Sequence, residues 1–198
     1  MGGDAETLDF YTREATAYAE HVKDEAGNPQ LAQFATMLPN GGTVLDFGCG
    51  PGWAGGALIE QGFVVRGFDG SAGLAAEARA RYGLDMTVGR FEEFSADAAY
   101  DGIWASFCLL HDSRQAMPGH LSRLAQALRP GGVIYIGLKE GKGEERDDLG
   151  RLYTFFSEAE MRGYLSAAGF REVETEKEPS TGFSGTPCTA MHMFARRA

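Results

Sequence analysis

Residues 45–56 read LDFGCGPGWAGG, a glycine-rich loop that directly follows the β-rich run TVLDF at 43–47. Gly48, Gly50 and Gly52 are alternate residues, so the chain can turn tightly there and leave its backbone open to a ligand. In an α/β sheet, ligands bind in the crevice beyond the carboxyl ends of the strands, and Gly48 stands at that point. What the loop holds depends on what the rest of the chain brings beside it.

Further β-rich runs lie at FVVRGFD (63–69), DMTVGR (85–90), YDGIWAS (100–106) and GVIYIGLK (132–139), with helical patterns between several of them. Ser71 predicts the cap of a helix that stops at Gly83. Leu121, Leu124, Ala125 and Leu128 recur at helical spacing before Pro130-Gly131-Gly132 ends another helix. Ser157 and Glu160 form a capping box ahead of a third, with Met161, Tyr164, Leu165 and Ala168 as its apolar face and Gly169 as its stop. Strands alternating with helices imply right-handed crossovers and a parallel sheet covered on both faces. The end of the chain differs: 171–178 and 188–197 read as two strands with no helix between them, which predicts a long-looped antiparallel hairpin. Upstream, Tyr11, Ala15, Tyr18 and Val22 form one face of an amphipathic helix, Asn28-Pro29 starts a second helix, and 39–42 is a turn.

The chain has 198 residues and is 43% hydrophobic, which suits one globular domain with a substantial core. Its 18 basic and 28 acidic residues give a net charge of -10, a balance that repels phosphate backbones and anionic membranes, so neither nucleic acid nor membrane is an expected partner. No apolar run approaches the roughly 20 residues of a membrane span. MGGDAETLDF lacks the features of a signal peptide, and Cys49, Cys108 and Cys188 suggest neither a disulfide framework nor a metal site, so a reducing cytoplasm is the expected location. The oligomeric state is not legible.

Asp69 ends the second strand and stands beside the loop, where its carboxylate can accept from both hydroxyls of a ribose. Strand, glycine loop and later acid together indicate a nucleoside site, without choosing the nucleoside. Read from Gly50, GPGWAG is a literal GxGxxG with Asp69 near the roughly 20-residue separation of a dinucleotide fold, and Tyr135-x-x-x-Lys139 repeats the pair of short-chain dehydrogenases. The shifted reading leaves Gly48 unexplained, and Tyr135 and Lys139 lie in a core strand rather than on a catalytic helix. An ionised Asp46 suits a neighbouring ammonium or sulfonium better than a pyrophosphate.

The runs VLDFGCGPG, FDGS, YDGIWASFCLLHD and LRPGGVIYIG resemble the core motifs of class I S-adenosylmethionine-dependent methyltransferases, especially small free-standing bacterial ones. The resemblance covers 42–140 well, and the tract from Leu138 to Phe170 less specifically. It implies a Rossmann-like, doubly wound α/β domain over 1–198: an amino-terminal helical cap (1–40) and a core (41–198) whose seven-stranded sheet has the order 3-2-1-4-5-7-6 with strand 7 antiparallel. It also implies S-adenosylmethionine as cofactor, S-adenosylhomocysteine as product, no metal, and a small-molecule methyl acceptor. Carried over by position, Gly48, Cys49 and Gly50 contact the methionyl part through their backbone and Asp46 supports its amino group. Asp69 takes the ribose, Gly70 and Ser71 line the nucleoside, Phe91 meets adenine, and Ala105 and Ser106 face the methionyl chain. Arg90 departs from the pattern: many relatives carry there an Asp that accepts from the adenine amino group, and Arg has no acceptor, so it stacks on the base or leaves that amine to other groups.

Tyr11 and Tyr18 either close over the sulfonium by cation–π attraction or form a packed stripe, and Trp53 either joins the cofactor site or anchors its helix. His111, just past the fourth strand, is the candidate general base beside the acceptor. His21, His120 and His192 have no metal-ligand spacing and read as structural, while Ser71 and Ser184 both miss the GxSxG elbow of hydrolases. The segment from Lys139 to Arg151 is either an acceptor lid or a solvated loop. The expected activity is methyl transfer to a small molecule; the alternatives are an NAD(P)-dependent oxidoreductase and a catalytically silent nucleoside-binding module.

Overall fold

The computed structural model describes residues 3–22, 27–181 and 185–198, so Ser184 lies outside the described residues. In chain order the elements are helices α1 (Ala5–Arg13), α2 (Ala15–His21) and α3 (Pro29–Thr36), then strand β1 (Thr43–Phe47), α4 (Trp53–Glu60), β2 (Val64–Asp69), α5 (Ala72–Tyr82) and β3 (Asp85–Val88). They continue with β4 (Tyr100–Ser106), α6 (Met117–Ala127), β5 (Leu128–Lys139), β6 (Glu144–Arg146), β7 (Leu152–Thr154), α7 (Glu158–Ala167), β8 (Phe170–Thr181) and β9 (Pro187–Arg197). Two single-turn 3-10 helices, Phe91–Glu93 and Leu109–His111, flank β4.

The main sheet has seven strands in the order β3-β2-β1-β4-β5-β9-β8, with β6 and β7 as a separate two-stranded ribbon. The first five strands are parallel, and β9 runs antiparallel to both β5 and β8. Since β8 and β9 are the sixth and seventh strands of this sheet, the observed order is the expected 3-2-1-4-5-7-6. The order reverses between β1 and β4, where the glycine loop leaves the sheet, and that is the place where a doubly wound sheet opens a crevice.

Period-2 alternation gives the sheet two buried faces. Leu45, Phe47, Ile103, Ile134 and Ile136 pack on one side with Leu121 and Leu124 of α6 and Met161 and Leu165 of α7. Val44, Trp104, Val133 and Tyr135 pack on the other with residues of α3, α4 and α5. Burial on both faces is why these strands read as unbroken apolar runs. The edges are blunted differently: β3 is only four residues long, whereas β8 is long but reads FREVETEKEPST, with charge and a proline that discourage further pairing.

Several local expectations need correction. The Tyr11–Val22 stripe is divided between α1 and α2, which meet at Glu14, so it is a bent pair rather than one helix. Helix α6 stops at Ala127, and Pro130-Gly131-Gly132 falls inside β5, because Leu128 already pairs with Tyr100. Ser157 caps α7 as expected, but the Glu160 carboxylate turns to Arg114 instead of closing the capping box. The Lys139–Arg151 segment is not a plain loop, since it contains β6, which pairs with β7 just beyond it.

Candidate active site

The loop after β1 takes its shape from glycines with left-handed backbone: φ is +64° at Gly48 and +55° at Gly50. A Cβ at Gly48 would lie 2.3 Å from Cys108 Cβ, so that position is closed to every other residue. At Gly50 the same test meets nothing within 4 Å, because the loop there faces open space. One glycine therefore serves packing and the other leaves room for a ligand.

Two carboxylates hold this loop. Asp69, at the end of β2, accepts from the Gly50 amide at 2.8 Å through Oδ2 and from the Ser71 amide at 2.8 Å through Oδ1. The Gly70 amide also draws on this carboxylate, and since a carboxylate offers about four acceptor sites, capacity remains for a ligand hydroxyl. Asp46 accepts from the Gly55 amide at 2.9 Å, at the amino end of α4. Burial raises both carboxyls above their usual range, Asp46 to about 7, and the proximity of Asp69 adds to the rise at Asp46. A cationic group arriving beside this pair would lower both again.

Two cavities meet at the loop and share Tyr11, Tyr18, Gly48, Gly50, Ser106, Phe107 and His111. The smaller, about 120 Å³, is lined further by Asp69, Gly70, Leu74, Arg90, Phe91 and Leu8. The larger, about 640 Å³, extends past Asp46 and Trp53 to Trp104, Tyr135, Lys139, Arg151, Tyr153, Cys188 and His192.

Most residues singled out from sequence come together here, and some contribute differently from expectation. Ser71 is fully enclosed: its hydroxyl caps α5 at the Leu74 amide and accepts from Thr12, so its side chain lines neither cavity. Ala105 is likewise buried in the core, leaving Ser106 as the residue of that pair that faces the cavities. The Cys49 thiol turns toward Met86 and the Gly50 carbonyl. Arg90 lines the smaller cavity, and its own amide donates to Glu93 at 2.8 Å. Phe91 lies edge-tilted on Phe47 with ring centres 4.7 Å apart, which steadies it as a wall of that cavity. Trp53 lines the larger cavity and packs on the α4 side of the core, so it anchors its helix while facing that cavity.

The side wall between the cavities is a hydrogen-bonded chain. His111 Nδ1 lies 2.7 Å from the Leu152 carbonyl, which can only accept, so Nδ1 carries the proton and Nε2 presents a lone pair. Tyr11 donates its hydroxyl to that Nε2 at 3.1 Å, and Arg151 donates to the Tyr11 oxygen at 3.1 Å. Asp147 in turn holds Arg151 through Nε at 2.9 Å and Nη2 at 2.6 Å. Burial brings the His111 pKa down to about 4, so the ring is neutral at physiological pH. Tyr18 packs edge-on to Tyr11, ring centres 5.0 Å apart. Helices α1–α2 and the β6–β7 ribbon thus meet over the loop.

The other histidines divide. His120 is a buried partner of Asp112, at 2.7 Å, as a structural reading expects. His192, by contrast, lines the larger cavity, bonded to the Tyr135 hydroxyl at 2.7 Å and to Glu178 at 3.2 Å. Arg151, Tyr153, Trp104 and Phe107 line the site without any signal of a function in the sequence; they read as ribbon or core residues until the fold assembles them. Among the described residues no cluster has the makings of a metal site, and no helix is long and apolar enough to cross a membrane.

Residues 44–132 match the methyltransferase domain family. The chain is 30% identical over 127 residues to malonyl-acyl-carrier-protein O-methyltransferase of Erwinia billingiae, covering 63% of this chain and 49% of that protein. It is 32% identical over 146 residues to trans-aconitate 2-methyltransferase of Variovorax paradoxus, covering 68% and 53%. It therefore spans about half the length of these two relatives. Among solved structures, 1,6-didemethyltoxoflavin-N1-methyltransferase of Burkholderia thailandensis, holding 1,6-didemethyltoxoflavin and S-adenosylhomocysteine, shares the fold with a TM-score of 0.79 at 24% identity, over 98% of this chain and 88% of that one. Domain family, relatives and strand order agree: residues 44–132 match a methyltransferase domain, and the chain has the fold of the class I S-adenosylmethionine-dependent methyltransferases.

Proposed function

We propose that this protein transfers the methyl group of S-adenosylmethionine to a small-molecule acceptor by one in-line displacement, leaving S-adenosylhomocysteine. The observation that carries the reading is the meeting of two unlike cavities on one glycine loop. A nucleoside fits the smaller and an acceptor the larger, with the loop between them. Both relatives and the Burkholderia protein are named as methyltransferases, which supports the same reaction class.

In this reading, Asp69 gives its remaining acceptor capacity to the ribose hydroxyls, and Gly70, the Ser71 backbone and Phe91 border the nucleoside. Arg90, on the adenine side, offers a planar cation to stack on the base. The main chain of Gly48, Cys49 and Gly50, with Asp46, holds the amino-acid end, and Ser106 with the Ala105 backbone flanks it. Tyr11 and Tyr18 supply ring faces that attract a sulfonium. The cofactor, when bound, supplies a methyl group activated by its own positive sulfur. The chain's remaining task is to align the acceptor and exclude water, and Trp53 closes the wall beside the loop. His111 serves best as the residue that positions Tyr11, because its Nε2 is engaged and its low pKa makes it a weak base.

The rival oxidoreductase reading loses support at its own motif. The Tyr135 hydroxyl is bonded to His192, and Lys139 lies over the Tyr153 ring at 3.9 Å, so the two do not form a catalytic pair. Thermal unfolding tests the choice. S-adenosylmethionine and S-adenosylhomocysteine at about 100 times their dissociation constants are expected to add roughly 2.7 kcal/mol, a rise of about 5 to 10 °C, with no effect of NAD or NADP. Asp69→Ala should lose most of the rise and also melt lower without ligand, since the Gly50 and Ser71 amides lose their acceptor. A rise with NAD and none with S-adenosylmethionine would overturn the reading. Release of S-adenosylhomocysteine in a screen of acceptor metabolites separates an enzyme from a silent binding module.

A further inference from the structure

The larger cavity contains a charge that the methyl-transfer reading does not use. Lys139 ends β5 at the Ala190 position of β9, is only 9% exposed, and lines the cavity. Its ammonium stands 3.9 Å from the centre of the Tyr153 ring, and the Tyr153 ring is 4.8 Å from that of His111. Lys139 is therefore on the acceptor side of the Tyr11–His111 wall. Among the described residues no carboxylate comes within ion-pairing distance of it.

The other charges around the cavity are committed elsewhere. Arg151 is held by Asp147 from two nitrogens, so that cation is neutralised where it stands. Glu178 reaches the rim and is bonded to His192 Nε2, and Asp46 belongs to the glycine loop. An ammonium in such a place is expensive to bury, and one aromatic face recovers only part of its lost hydration. Burial indeed lowers the Lys139 pKa, opposed first by the neighbouring Cys188, with Arg151 adding to the lowering and Asp147 and Glu145 opposing it. A neutral residue of the same length would fill the space over Tyr153 without that penalty. The cation is accounted for if the cavity is completed by an anion.

The walls specify the shape of that anion. Trp104 and Tyr135, stacked 3.7 Å apart and each about 1% exposed, back the cavity, and Tyr153 and Phe107 give it aromatic sides. We propose that the acceptor is a planar organic acid whose carboxylate is received by Lys139. This rests on the methyltransferase reading and adds a substrate class to it. Lys139 is then a specificity residue, in contact with the acceptor and remote from the cofactor's nucleoside.

The test uses full-length protein and its Lys139→Met and Lys139→Arg variants. Melting is first followed with S-adenosylhomocysteine alone; then, with that ligand saturating, calorimetry compares benzoate with benzamide and cinnamate with cinnamamide. S-adenosylhomocysteine is expected to stabilise all three proteins, which shows that the variants are folded. In the parent protein at least one acid should bind about 10- to 100-fold tighter than its amide, the effect of one charge-assisted hydrogen bond. Lys139→Met should abolish that preference and Lys139→Arg should retain most of it. If S-adenosylhomocysteine stabilises the proteins but neither acid outbinds its amide, or Lys139→Met keeps the preference, the acid-acceptor proposal fails and the methyltransferase reading stands. If S-adenosylhomocysteine stabilises none of them, both fall.

Discussion

The smaller cavity is floored by the strand ends that carry Gly48, Gly50, Asp69 and Gly70, with Asp4, Arg90 and other side chains around them, whereas the larger is walled mainly by side chains spread from Tyr11 to His192. The first set lies in two short strand-ends that any parallel sheet with this loop would bring together. The second needs α1, α2, β4, β5, β7 and β9 to be in place at once. Backbone recognition is indifferent to most substitutions but intolerant of a lost glycine. Side-chain recognition can be rebuilt one residue at a time. In the proposed reading, the half assigned to the cofactor is thus made of the less adjustable material, and the half assigned to the acceptor of the more adjustable.

Breaking the backbone half should give the largest effect. Gly48→Ala forces a methyl into Cys108 at a left-handed φ of +64°, so a loss of about 2 to 5 kcal/mol is expected, enough to remove much of the stability of the domain. Gly50→Ala, with open space around it, should cost only about 1 to 2 kcal/mol for its left-handed backbone while weakening S-adenosylhomocysteine more than Gly48's neighbours would. Denaturant unfolding beside calorimetry separates the two; equal stability losses would mean that the loop relaxes and that packing does not set it.

The next effect sharpens the comparison through pH. Asp46 holds its proton to about 7 in the folded protein against 3.8 for an ordinary Asp, so between those values the unfolded chain gives up a proton that the native state keeps. Its contribution to stability is full below pH 3.8 and disappears as pH rises to about 7, a swing of roughly 4 kcal/mol. Asp46→Asn should flatten this part of the curve of unliganded stability against pH. S-adenosylhomocysteine, bringing an ammonium, should bind the parent protein more tightly above pH 7 than below it. A parent curve that is already flat between pH 4 and 7 would show Asp46 to be ionised without ligand.

The smallest effect belongs to the side-chain half. Tyr11→Phe removes the hydroxyl between Arg151 and His111 and keeps the ring, so stability should fall by about 1 to 2 kcal/mol while S-adenosylhomocysteine affinity stays within twofold or so. A large fall in that affinity would move the Tyr11 hydroxyl from the wall to the cofactor.

Legibility followed the same division. Ser71 and Gly83 as the two ends of α5, β1 and β4 to the residue, and the terminal hairpin could all be read because each depends on local backbone chemistry or on alternation within one segment. The loop and Asp69 could be read because their spacing along the chain already implies their adjacency. Where a side chain had a choice of partners, reading failed: Glu160 left its capping box for Arg114. His192 looked structural because nothing near it in sequence is chemical, yet pairing of β9 with β5 sets it against Tyr135 beside the larger cavity.

Alone, the sequence determined the parallel core, the strand that carries the glycine loop and the acid that answers it, since glycine's φ, helix caps and strand periodicity are properties of short segments. Tertiary structure decided the rest: that His111 faces Tyr11 with a neutral, poorly basic ring, that Arg151 is neutralised by Asp147, and that Lys139 is left facing an aromatic cavity without a carboxylate. Those are consequences of burial and of long-range pairing, which set the hydration and the charge partners of a side chain and which no window of neighbouring residues contains.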